Sequence, residues 1–181
     1  MPHGVRMKLL KYISIFIVFI TFNASSNEVE MPQSVVAKFL SSMKDKNYNQ
    51  ASEYITDSDL AWLTASSKPL LNNPVFLEMH DLENLGQSEI NEFNQSDIFE
   101  LWSNIAWESR DKGFGSYDQK NILGYVKESE NIAHVVTRGI VNKENDAEVY
   151  TLELIKNKWR LKLPRIIKGS VSVFERSFAG N

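Results

Sequence analysis

The sequence predicts an α+β fold in which N-terminal helices pack on a curved C-terminal antiparallel β-sheet. Two observations carry this prediction. Early in the chain, Val35, Val36, Phe39, Leu40 and Met43 recur at the spacing of one helix face. Late in the chain, apolar and polar residues alternate, which is typical of an antiparallel sheet with one buried face. Helices followed by a run of strands make an α+β domain, because the apolar helix face can cover the sheet.

The clearest alternation lies in residues 148–164. Every second side chain there is apolar, and these residues define the buried face of two strands: Tyr150, Leu152, Leu154, Trp159, Leu161 and Leu163. Residues 156–158 supply a turn, in which Asn157 tolerates a positive φ. Pro164 has no N–H to donate, so strand pairing should end before it. This stretch therefore predicts an antiparallel hairpin.

The middle of the chain predicts weaker helices, and the sheet begins after them. Helical segments are expected at 32–46, 50–55, 60–63 and 96–107, loops at 66–69, 72–74, 110–116 and 142–146, and strands at Ile122–Lys127 and Ile132–Val141. Residues 75–82 fit a strand or a helix, and a helix is preferred. Ser96 is the expected N-cap of the 96–107 helix, and Asp97 suits the positive end of its dipole. Residues 170–174 are predicted as a last strand or an irregular tail.

The first 26 residues are predicted to lie outside the fold. Basic residues precede the apolar run 12–22, and Ala24 and Ser26 fit a cleavage site after it. The run is shorter than the about 20 residues that a membrane span needs. We therefore expect a signal peptide at 1–26, a single domain at 27–181, and a periplasmic or secreted location. Membrane attachment is expected only if the signal remains uncleaved.

Charge and cysteine content exclude several function classes. The formal net charge is −3, and cleavage would make the protein more acidic, because the removed segment carries Arg6, Lys8 and Lys11 but no acidic residue. An acidic protein is poorly suited to nucleic acid, whose binding depends on neutralising phosphates. The chain has no cysteine, which excludes disulfides, thiol catalysis and cysteine-ligated metal.

Two segments resemble a known superfamily. The residues that carry the resemblance are the stripe 35–43, the Asn47, Tyr48 and Ala51 that follow it, and, in the hairpin, Leu152, Leu154 and 158–161. Over residues 32–63 and 122–163 the pattern resembles small exported domains of the nuclear-transport-factor-2-like superfamily. The resemblance implies a cone in which a curved sheet wraps helices and leaves a pocket at the wide end. Members include isomerases, dehydratases, polyketide-cyclase-like enzymes, transport adaptors and binding modules.

The histidines that follow the signal segment are the first candidates for chemistry. His80 precedes Asp81 in an acidic segment, and a histidine beside carboxylates can act as a general base or bind a metal. The spacing matches no metal motif, so we prefer a solvated acidic segment and expect no metal. The His80–Asp81 pair is kept as an acid–base alternative. His134 lies in a strand and is predicted to be hydrogen-bonded or exposed.

Two tryptophans are candidate ligand-binding residues. Trp62 and Trp102 could line a pocket, since pockets are lined mainly by aromatic and apolar side chains. Packing is the preferred interpretation of Trp102, which shares a predicted helix face with Ile98 and Ile105, and the pocket wall is the alternative. The segment 113–117 contains two glycines but lacks the pattern of a nucleophile elbow, and we predict a turn or a loop that flanks a site.

Charge is unevenly distributed along the chain. No Lys or Arg lies between Lys68 and Arg110, whereas these residues cluster near the end: Lys158, Arg160, Lys162, Arg165, Lys168 and Arg176. Two solvated faces of opposite sign are the preferred interpretation. A docking surface is the alternative, because complementary charge steers association.

These observations favour an exported module that binds a small ligand or a protein, with no catalytic activity and no cofactor. The reason is that no His, Cys or Ser constellation converges in the sequence. The alternative is an isomerase- or cyclase-type enzyme that uses His80 with Asp81 in the pocket of the cone. The expected partner is therefore an unidentified small molecule or protein.

Overall fold

The computed structural model describes residues 29–108, 121–141 and 144–178. The helices are α1 (Pro32–Lys44), α2 (Tyr48–Ser52), α3 (Asp57–Leu71), α4 (Pro74–Met79), α5 (Gln87–Asn91), α6 (Gln95–Glu108) and α7 (Arg165–Phe178), and the strands are β1 (Ile122–Lys127), β2 (Ile132–Val141), β3 (Glu144–Ile155) and β4 (Lys158–Leu161). The predicted α+β architecture is confirmed. The expected signal peptide and the loop around 113–117 lie outside the described residues. Within the described ranges, every helix is too short or too polar to span a membrane.

The four strands form one antiparallel sheet in the order β1-β2-β3-β4. β2 pairs with β3 along its whole length, from Ile132 opposite Glu153 to Val141 opposite Glu144. β4 pairs only with the last four residues of β3, from Leu152 to Ile155. The first part of β3 therefore has no strand beside it on the β4 side within the described chain.

The predicted hairpin between β3 and β4 is confirmed. Leu154 lies opposite Trp159 and Leu152 opposite Leu161, so the expected apolar residues share one face. Lys156 and Asn157 have φ of 49° and 61°. Positive φ at both central positions marks the turn type whose twist matches that of paired strands.

Helix α1 covers the buried face of the sheet, as the sequence predicts. Val36 and Phe39 are completely buried, and Leu40 is 5% exposed. The ring of Phe39 meets that of Tyr150 edge-on, with centroids 6.1 Å apart. Trp159 is buried in the same core, which places the late hairpin against the early helix.

The loop predicted at 66–69 is wrong, because α3 continues through it to Leu71. Pro69 lies close to the C-terminal end, where a missing N–H removes one hydrogen bond of a helix that is about to end. The Ser67 hydroxyl donates to the Leu63 carbonyl at 2.6 Å, within the helix. The break predicted at 72–74 is confirmed, because α3 ends before it and the Asn73 side chain caps α4. The helix preferred for residues 75–82 corresponds to α4, which ends earlier, at Met79.

The helix predicted over 96–107 is confirmed as α6, but Ser96 is not its cap. The Asn94 side chain accepts hydrogen bonds from the Ser96 and Asp97 amides at 2.7 and 3.2 Å. In return, Asp97 accepts from the Asn94 amide at 2.9 Å. The Ser96 hydroxyl instead donates to Asn49 at 3.1 Å and links α6 to α2.

The prediction of a strand or tail at 170–174 is wrong, because these residues lie within α7. Ile167, Val171, Phe174 and Phe178 lie at helical spacing and face the core. The loop expected at 142–146 is also partly wrong, because β3 already begins at Glu144. Residues 142 and 143 lie outside the described ranges.

Candidate functional site

A groove of about 1060 Å³ separates β3 from α7. One wall is formed by residues 147–151 of β3 and the other by the first three turns of α7. The groove exists because β4 leaves this part of β3 uncovered. α7 packs on α3 and α6 and so does not fill the space beside the strand.

The backbone of β3 points its hydrogen-bonding groups into this groove. The Thr151 carbonyl accepts from the Lys162 amide at 2.8 Å, on the β4 side, whereas the Leu154 amide donates to Asn131 at 2.8 Å, on the β2 side. Backbone groups alternate in direction along an antiparallel strand. The N–H and C=O of Val149 therefore face the groove, as do those of Ala147.

The wall formed by α7 is open and partly apolar. Ile166, Gly169, Ser170 and Val173 line it at positions i, i+3, i+4 and i+7, which share one helix face. Apart from the adjoining residues and backbone of α7 itself, no heavy atom of the described residues lies within 4 Å of the position that a Cβ on Gly169 would occupy. Val173 is 52% exposed, and Val149 across the groove is 50% exposed. Gly169 thus widens the groove between two exposed valines.

The charged side chains that line the groove are mostly basic. Lys162, Arg165 and Lys168 oppose a single carboxylate, Glu148. Lys162 forms an ion pair with Glu153. Arg165 is exposed at the start of α7. Because Lys162 and Lys168 are paired with Glu153 and Asp59, the exposed Arg165 is the cation of this lining that most favours an anionic occupant.

A buried carboxylate fixes one end of the groove. Asp59 accepts hydrogen bonds from Lys168 Nζ at 2.7 Å, from the Leu163 amide at 3.0 Å and from the Thr56 hydroxyl at 2.9 Å. Burial alone would raise the pKa of Asp59, but the hydrogen bonds from Lys168, Leu163 and Thr56 hold it below its ordinary value. The N-terminus of α3 is thereby tied to the chain that leads into α7.

The structure gives His80 and Asp81 different surroundings. The His80 ring lies 4.6 Å from that of Phe76 and 5.2 Å from that of Phe174, measured between centroids. Its Nε2 is buried and has no hydrogen-bond partner among the described residues. Burial lowers the pKa of His80, although nearby Asp81 acts in the opposite direction. The Asp81 side chain is exposed, so the two groups do not share one enclosed cavity.

Trp62 and Trp102 are also placed apart. Trp102 is completely buried, and its indole N–H donates to the Ser67 hydroxyl at 2.6 Å. Trp62 is 37% exposed, and Lys168 Nζ lies 5.8 Å from its ring centroid. Trp102 therefore contributes to the core, whereas Trp62 lies beside a lysine that lines the groove.

The remaining sequence candidates lie elsewhere. His134 contacts Thr151 at 3.1 Å and Glu128 at 2.5 Å, which confirms the prediction of a hydrogen-bonded strand histidine. Four carboxylates of the acidic stretch line a smaller hollow of about 590 Å³ beside α5 and α6: Glu89, Glu92, Asp97 and Glu100. These carboxylates do not converge on one point, and within the described residues no group of three or more His, Cys, Asp or Glu side chains could hold a metal ion.

The sequence shows the basic cluster but not the groove. Lys162, Arg165 and Lys168 belong to a run of basic residues in the sequence, whereas no pattern marks Val149 and Gly169 as site residues.

Comparison of the chain with protein-family models, curated proteins and solved structures finds no match. The resemblance to the nuclear-transport-factor-2-like superfamily therefore stays a prediction from the sequence.

Proposed function

We propose that this protein is an exported binding module without catalytic activity, and that it takes a small ligand or a segment of a protein in the groove between β3 and α7. The groove itself carries this proposal. Its volume of about 1060 Å³ lies just above the range of ligand pockets, about 300–1,000 Å³. Export rests on residues 1–26, whose basic start and apolar run are typical of a signal peptide.

The groove combines the surfaces that a binding site needs. Val149 and Val173 offer apolar contact, and the backbone of β3 offers directed hydrogen bonds. The exposed Arg165 supplies positive charge, and the paired Lys162 and Lys168 keep further N–H donors, so we propose an anionic ligand or segment.

The enzyme alternative has weaker support. A general base must reach the proton that it removes, and His80 is packed against Phe76 and Phe174. Asp81, its proposed partner, faces solvent. The binding proposal needs neither residue.

The test combines native mass spectrometry with an NMR screen. Protein purified from the periplasmic fraction would be examined for a retained molecule, then screened against small carboxylic acids and acidic peptides. Binding should shift the amide signals of Val149 and Gly169. The Gly169→Leu variant fills the groove and should weaken binding at least about tenfold, because the new side chain occupies the site.

The matched control is Ser177→Leu, which places the same side chain on an exposed position of α7 away from the groove lining. It should bind as the unmodified protein does. Equal affinity in the Gly169→Leu variant, or shifts confined to other surfaces, would show that the groove is not the binding site. N-terminal sequencing of the mature protein tests export separately, since a cleaved signal leaves a new N-terminus after Ser26.

A further inference from the structure

We propose that the groove receives an extended, acidic segment of a partner protein, which adds as a further strand to the open edge of β3. This inference rests on the proposed binding function and specifies the occupant. Three features of the described residues support it: the direction of the β3 backbone, the space over α7 and the sign of the charge.

The open edge of β3 offers backbone donors and acceptors to an added strand. Val149 and Ala147 direct their N–H and C=O groups into the groove, and a strand that lies about 4.8 Å away could hydrogen-bond to them. Natural sheets usually protect such an edge with a proline, a charge or a covering element. The edge of β4, for example, is covered because Leu161 bonds through its backbone to Tyr54 and Thr56. Residues 147–151 contain no proline, and Glu148 is their one charged side chain, so within the described chain this edge is protected by a single charge.

The wall across the groove leaves room for an added strand. Glycine in a helix interior costs about 1 kcal/mol relative to alanine, and Gly169 has no close neighbour that would explain its presence. A backbone that passes close to α7 does explain it, because a side chain at this position would obstruct that backbone. Val173 is 52% exposed and can contact alternate side chains of the strand.

The charges favour an acidic sequence for that strand. Arg165 is exposed at the mouth of the groove, and Lys162 and Lys168 line it as well. The ammonium groups of these lysines already contact Glu153 and Asp59, and each retains further N–H groups for a ligand carboxylate. A small anion would use these charges but would leave the edge of β3 unpaired. The open edge therefore favours a peptide over a small anion.

The experiment uses three synthetic eight-residue peptides with capped ends. The first alternates glutamate with valine, the second alternates lysine with valine, and the third is the acidic peptide with alternate amides N-methylated. The acidic peptide should bind at least about tenfold more tightly than either of the others. The lysine peptide lacks the negative charge, and the N-methylated peptide lacks half of the backbone N–H donors. At a concentration of about 100 times Kd, exchange of the Val149 amide should slow about 100-fold.

A second experiment reverses the charge of single residues on α7. Arg165→Glu should lower the affinity for the acidic peptide and raise the affinity for the lysine peptide, since Arg165 lies in the groove lining. Arg176→Glu makes the same change on an exposed part of α7 away from that lining and should alter neither affinity.

The outcomes separate this inference from the binding function. If the N-methylated peptide binds as well as its parent, or the Val149 amide is not protected, the strand inference fails although the groove still binds. If only small carboxylic acids bind, in a way that Gly169→Leu abolishes, the strand inference also fails and the binding function stands. If Gly169→Leu leaves the affinity of every ligand unchanged, both are wrong.

Discussion

Lys168 Nζ lies 2.7 Å from Asp59 Oδ1, and this ion pair joins α7 to the N-terminus of α3. The other carboxylate oxygen accepts from the Leu163 amide, just before the helix begins. One buried carboxylate therefore holds both a side chain of α7 and the backbone that leads into it. Because α7 is one wall of the groove, Asp59 sets the position of that wall.

The Asp59→Asn variant should lose about 2 kcal/mol of free energy of unfolding. The amide keeps the size of the side chain but removes the charge that accepts from Lys168 and Leu163. Lys168 is partly exposed, which keeps the loss below that of a fully buried pair. Urea denaturation measures it. The matched control is Asp57→Asn, an exposed acid in the same first turn, and an equal loss there would contradict the assigned role of Asp59.

The contribution of Asp59 should disappear in acid. Its pKa in the folded protein lies below the ordinary value of 3.8, so the unfolded chain binds the proton more readily. The stabilisation is therefore complete above that value and is lost as pH falls through the folded pKa. Urea denaturation between about pH 5 and pH 2 should show the unmodified protein and Asp59→Asn converging as pH falls. A constant difference across this range would show that the charge is not responsible.

His80 should make the fold sensitive to mild acid. Burial lowers its pKa below the ordinary 6.5, so the unfolded chain takes up a proton first as pH falls. Stability is retained above 6.5 and declines below it until the folded form is also protonated. The His80→Phe variant should remove this decline and gain about 1 kcal/mol at neutral pH, because it replaces the buried, unpaired Nε2.

The control for that prediction is His134→Gln, which leaves His80 in place and should keep the decline below pH 6.5. Urea denaturation at several pH values provides the measurement. If the free energy of unfolding of the His80→Phe variant falls below pH 6.5 as steeply as that of the unmodified protein, the acid sensitivity arises from another group.

Local patterns predicted the elements whose period is unambiguous. The hairpin of β3 and β4 alternates strictly, and Asn157 fits the turn, so its register follows from a few adjacent residues. Helix α7 is not evident from local pattern, because Val171 and Val173 alternate around Ser172 as in a strand. The helix is stabilised by distant contacts, because Phe174 and Phe178 on its apolar face pack against Phe76.

The groove could not be predicted from local patterns. It depends on where β4 ends relative to β3 and on the course of α7, which are relations between distant parts of the chain. The basic residues were visible in the sequence, but the open backbone of Val149 was not. A strand pattern shows which side chains face inward and does not show which edge lacks a neighbour.

Trp102 should behave as a core residue and not as a wall of the binding site. Trp102→Phe removes the hydrogen bond to Ser67 and leaves a cavity, so the free energy of unfolding should fall by about 2 kcal/mol. The affinity of the groove for its ligand should not change. Trp62→Phe, at an exposed position, should change stability by less than about 0.5 kcal/mol. A loss of affinity in Trp102→Phe without a loss of stability would assign Trp102 to the site.

Gly169→Ala should make the protein more stable and a poorer binder. Alanine favours a helix interior over glycine by about 0.5–1 kcal/mol, and no neighbour lies close enough to oppose the added methyl group. The midpoint of urea denaturation should therefore rise, with an unchanged slope. The same methyl group enters the groove, so affinity should fall, although by less than in Gly169→Leu. If stability rises while affinity is unchanged, the glycine does not serve the groove; if stability falls, the space over α7 is not open.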